Sequence, residues 1–221
     1  MGEITRRSLF ERARKYALGS LAAAGALEGF VPKQVWAQQA SNGGVKPQNW
    51  LTLTDEAALE PGLPIIDPHH HLWDRPGNRY LLEDLVADVQ AHNVRQTVFI
   101  ECSSMYRADG PEEFKVVGET EFVQGIAAMS ASGRYGETRV AAGIVGSADL
   151  RLGDRIAPVL EAQIAASPQR FRGIRHRAAW ADRSVAPNQP ADLPEHVLLD
   201  PGFRRGYAYL RKYGLSFEGW V

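Results

Sequence analysis

The sequence predicts an α/β fold in which parallel strands alternate with helices around one core. Three observations carry that prediction. Short runs rich in β-branched and aromatic residues recur at 63–66, 96–102, 140–145, 171–176 and 215–221, and such runs read as strands. The stretches between them place apolar residues at helical spacing, and strand and helix in alternation are the mark of βαβ units. The composition over 221 residues, 44% hydrophobic and 23% charged, is that of an ordinary globular chain.

Each element follows from its local pattern. Residues 38–62 are rich in Gly, Pro and polar side chains and read as a linker. The run 63–66 ends at the turn-prone Asp67-Pro68 step, which delivers three successive histidines where the strand stops. Arg75-Pro76-Gly77-Asn78 is a loop, and Leu82, Leu85, Val86 and Val89 then mark a helix to about His92. The run 96–102 is rich in β-branched and aromatic residues, with Val98, Phe99 and Ile100 in succession and Glu101 near its end, as in a buried strand. Residues 111–131 show a helical period through Phe114, Val117, Phe122, Ile126 and Met129, and 151–166 do so through Ile156, Val159, Leu160 and Ile164. The proline-rich stretch 182–200 reads as a lid-type loop. Asp200-Pro201 is an N-cap followed by proline at the first helical position, and Gly214 closes that helix.

The chemistry sits where these strands end. Alternate residues of an extended segment share a face, so His69 and His71 project together and His70 points away. Two imidazoles so placed can grip one ion, with Asp67 positioned to orient one of them from behind. Glu101 ends an apolar strand and requires a cation, a metal or several donors, because an unpaired buried carboxylate is costly. Ser103, Ser104, Tyr106 and Arg107 form the loop beyond it. Arg175 and His176 end a later strand, on opposite faces while that strand lasts, with Trp180 just after. Cys102, the single cysteine, has no partner for an internal disulfide and reads as a small buried side chain.

At Ile66-Asp67-Pro68-His69-His70-His71-Leu72-Trp73-Asp74 the chain resembles the amidohydrolase superfamily, whose first barrel strand ends in HxH, and within it the lactonase-like members of the amidohydrolase-related branch. Val98-Phe99-Ile100-Glu101-Cys102 and Phe171-Arg172-Gly173-Ile174-Arg175-His176 resemble later strands of that branch. The resemblance covers residues 63–221. It implies a (β/α)8 barrel, here its N-terminal portion of about five units, since a full barrel needs about 250 residues. It also implies hydrolysis of a lactone or similar cyclic ester by metal-assisted attack of water. The ion it implies, zinc, would be held by His69, His71 and Glu101, although some members work without metal. His69, His71 and Arg175 would carry the chemistry, and Tyr106, Arg175, His176 and Trp180 would contact a lactone or carboxylated substrate. The histidine and the general-base aspartate expected after later strands have no counterpart in the 221 residues. The resemblance therefore implies a fragment of a longer enzyme, with an inactive remnant or ligand-binding piece as one alternative. A decarboxylase acting on an aromatic or muconate-type acid is another.

The first 37 residues differ from the rest. Arg6 and Arg7 in Thr5-Arg6-Arg7-Ser8-Leu9-Phe10 precede a small-residue apolar stretch over 16–30, which resembles a twin-arginine export signal cleaved after Ala37. Export to the periplasm is the expectation, with no other membrane role. Residues 1–37 hold six Lys+Arg and three Asp+Glu, so the remainder carries 19 against 23, a formal charge near −4. Without clustered Lys and Arg, nucleic acid is not an expected partner.

Overall fold

The computed structural model describes residues 57–182, 184–185 and 193–221. The expected leader, most of the linker, and residues 183 and 186–192 of the proline-rich stretch lie outside these described residues.

Strand β1 (Ile65–His70) is followed by a small hairpin, β2 (Trp73–Arg75) and β3 (Asn78–Tyr80), and then by α1 (Leu82–Val89). The chain continues through β4 (Val94–Ile100), α2 (Val117–Ala131), β5 (Arg139–Ser147), α3 (Ala157–Ala166), β6 (Phe171–Arg177), α4 (Pro201–Tyr213) and β7 (Ser216–Trp220). The main sheet runs β1-β4-β5-β6-β7, with every neighbouring pair parallel. The α/β class therefore holds.

The (β/α)8 barrel does not. Among the described residues β1 bonds only to β4 and β7 only to β6, so the sheet has five strands and two open edges instead of eight strands closed on themselves. The open edge also explains β1 itself. A strand inside a barrel would be covered, yet Ile66 is 61% exposed. Residues 75–78, expected as a plain loop, are the turn of the β2–β3 hairpin, with Gly77 at φ 75° supplying the left-handed backbone that the turn needs.

The core lies between the sheet and its helices, where Phe99, Ile144, Leu150, Ile156, Leu160 and Ile174 are fully buried. Polar bridges cross it. Thr120 of α2 donates to Gln163 of α3, whose Nε2 donates to the Ser147 carbonyl at 2.8 Å. Each such buried bond contributes about 1 kcal/mol. Helix α4 begins as its sequence predicts, with the Asp200 carboxylate accepting from Phe203 N–H at 2.7 Å, and it ends at Gly214 (φ 64°). It crosses the Leu150–Ile156 turn so closely that a Cβ on Gly206 would lie 2.1 Å from the Leu150 carbonyl oxygen.

Candidate active site

All five strands point the same way, so their C-terminal ends share one edge of the sheet, and the β1, β4, β6 and β7 ends carry polar groups there. At the β1 end, His69 and His71 face each other with their Nε2 atoms 3.3 Å apart and their rings edge-on at 5.0 Å. His70 turns to the helix side and packs edge-on against Phe99 at 5.9 Å. The alternation follows from the extended backbone.

The tautomer of His71 follows from its other nitrogen. Nδ1 lies 2.8 Å from the Ile100 carbonyl oxygen, and a carbonyl only accepts, so Nδ1 carries the proton and Nε2 presents a lone pair. Burial, helped by the nearby Arg175 guanidinium, pushes the His71 pKa down against the opposing pull of the Ile100 hydrogen bond, and the net effect favours the neutral ring. Trp73 stacks on it at 5.4 Å. Asp67 does not orient an imidazole. Its carboxylate accepts from the His69 backbone N–H at 3.0 Å and so fixes the turn out of β1.

The β4, β6 and β7 ends form a different group. Arg175 Nε donates to Glu101 Oε1 at 2.8 Å, and its Nη2 donates to the Glu101 carbonyl. Glu218 lies 3.4 Å from the same Nε. The Arg175 and Glu101 side chains are 5% and 4% exposed, so this is a buried ion pair. Trp220 lies beside both Arg175 and Arg177, with each guanidinium carbon 5.0 Å from its ring centre.

The structure brings Glu101 and Arg175 together, and places Glu101 with the arginine, not as a third member of the histidine pair. Among the described residues no group of three His, Cys, Asp or Glu side chains could hold a metal ion. His176 takes the opposite face, where Nδ1 lies 3.2 Å from the Ala148 carbonyl and 3.3 Å from Leu150 N, and its ring packs on Phe203. Trp180 follows β6 and is 41% exposed. The Tyr106 hydroxyl lies beside Ser103 and Ser147, and burial pushes its pKa up to about 12.

Two residues escaped the sequence reading. Arg177 is two positions past Arg175 and shares its face. It lies 3.8 Å from Glu101 Oε1 and is 34% exposed, so it can meet a ligand where Arg175 cannot. Strand alternation was enough to find it. Glu218 pairs in register with Arg175, a relation between distant residues with no local signal.

No family model matches the chain, and no solved structure matches it. The uncharacterized protein y4mH of Sinorhizobium fredii (strain NGR234) is 28% identical over 180 residues, which cover 71% of this chain and 53% of that protein. The chain thus spans about half the length of this curated relative.

Proposed function

We propose that the C-terminal edge of this sheet belongs to a hydrolase that opens a lactone or similar cyclic ester, with His69 and His71 at its centre. The observation that carries the reading is the pair of Nε2 atoms 3.3 Å apart, one of them a lone pair whose tautomer is set by a backbone carbonyl. A neutral imidazole fixed through its far nitrogen is how metal-ligating histidines are oriented.

These two atoms suit a divalent ion such as zinc, with other positions left to water and substrate. When bound, such an ion would acidify a water and polarise the ester carbonyl. The chain's own groups have separate tasks. The Ile100 carbonyl holds His71 in register, and Asp67 holds the backbone of His69. Glu101 keeps Arg175 in place, which leaves Arg177 to take a substrate carboxylate through its guanidinium fork. In the reaction the water oxygen bonds to the ester carbon, the ring C–O bond breaks, and the water proton ends on the hydroxyl released. Export through the twin-arginine sequence at the N-terminus belongs to the same proposal.

The test is lactone hydrolysis by the full chain with and without added zinc. Wild-type turnover that falls at least a hundredfold in both His69→Ala and His71→Ala, with His70→Ala much less affected, is the expected result. Turnover indifferent to both substitutions would end the proposal.

A further inference from the structure

The loop after β4 is held more firmly than a surface connection needs. Ser103 (φ 62°) and Met105 (φ 53°) both occupy the left-handed region, which non-glycine residues keep only where their surroundings over-determine it. The surroundings here do so from three sides. Glu119, 1% exposed in the first turn of α2, accepts through Oε1 from Cys102 N–H at 3.0 Å and Ser104 N–H at 2.7 Å. Its Oε2 is buried without a hydrogen-bond partner. Gly118 lets α2 press on the loop backbone, since a Cβ there would lie 2.5 Å from the Met105 carbonyl oxygen and 2.7 Å from Arg107 N. From the β1 side, Cys102 Sγ donates to the Leu72 carbonyl at 3.2 Å, and Arg75 donates to the Cys102 carbonyl at 2.6 Å. At the far end Arg107 N–H donates to the Lys115 carbonyl at 2.9 Å, and its guanidinium pairs with Glu121.

All this restraint leaves two large side chains partly in solvent, Met105 at 45% and Tyr106 at 36%. We infer that residues 103–106 form a fixed apolar lip that receives the flat, unsaturated ring of the substrate, with Met105 and Tyr106 as its contacts and Glu119 as the residue that positions them. A thioether and a phenol ring favour an aromatic or unsaturated face over a sugar-like one. Trp73 and Trp220 add aromatic surface along the same edge. The lip as a substrate contact rests on the lactone-hydrolase reading; the hold of Glu119 on the loop stands on geometry alone.

The experiment uses the full chain with 13C-methyl methionine and coumarin, a flat aromatic lactone, as probe. The Met105 methyl signal is expected to move saturably, while Met1 and Met129 stay still. Glu119→Leu should weaken coumarin at least tenfold, and Glu119→Gln, which keeps the accepting oxygen, should stay within threefold of wild type. Met105→Ala and Tyr106→Ala alter partly exposed side chains, so they test the lip even where Glu119→Leu does not fold. By equilibrium dialysis each should weaken coumarin at least fivefold. A silent Met105 methyl, or unchanged binding in both alanine variants, overturns the lip. Coumarin bound at Met105 without hydrolysis of any lactone sinks the hydrolase reading and leaves the lip, while hydrolysis with a silent Met105 does the reverse.

Discussion

The β1 end and the β6–β7 end of the same sheet edge are built on opposite principles. At β1, His69 and His71 are neutral-capable rings with nitrogen facing nitrogen and few other partners. At β6–β7, Arg175 and Glu101 are almost wholly buried and spend their hydrogen bonds on each other. A reactive group needs unspent capacity, whereas a structural one needs its capacity filled. On the proposed function the difference separates groups that would act from groups that hold the fold, and substitutions on the two sides should fail in different ways.

The largest effect is expected on the holding side. Arg175→Met leaves Glu101 buried without its partner and should destabilise the fold by about 3–5 kcal/mol in urea unfolding. A loss under about 1 kcal/mol would mean that the two ends are not distinct in kind.

The next effect is a pair of opposed pH dependences. Burial pulls the His70 pKa down to about 4, so His70 contributes stability that is present above pH 6.5 and lost as pH falls toward 4. Burial raises the Glu119 pKa to about 7, so its contribution is present below about pH 4.5 and lost as pH rises toward 7. Each limb is worth on the order of 3 kcal/mol. Across pH 4.5–6.5 they offset each other in the wild type. His70→Phe should leave stability falling with pH in that window, and Glu119→Gln should leave it rising. Parallel slopes in the two variants, followed by urea midpoints, would contradict the assignment.

Smaller still is the structural cost on the acting side. His71→Ala removes one hydrogen bond and strands the Ile100 carbonyl, a loss of about 1–2 kcal/mol. Arg95 and Glu137, an exposed pair far from both ends, give the baseline. Arg95→Ala should change stability by less than about 1 kcal/mol.

What the sequence disclosed follows the range of each interaction. The shared face of His69 and His71 and the Asp200 cap were legible because alternation and capping act within a few residues. The pairing of Arg175 with Glu101 spans 74 positions, and the grip of Glu119 on the Cys102–Ser104 backbone depends on how a helix docks. Neither leaves a local pattern. The hairpin at β2–β3 was missed because its three-residue strands are too short to show alternation. The eight-stranded barrel came from resemblance, whereas the residues themselves supported only five strands, and five are what the sheet contains.

The state of the His69–His71 pair decides whether this edge can hold a metal ion, and imidazole 15N spectroscopy with zinc titration reads that state directly. His71 is predicted to carry its proton on Nδ1 in the zinc-free chain, and the Nε2 resonances of His69 and His71 are predicted to shift together as zinc is added. A proton on His71 Nε2, or two Nε2 signals indifferent to zinc, would contradict the proposal.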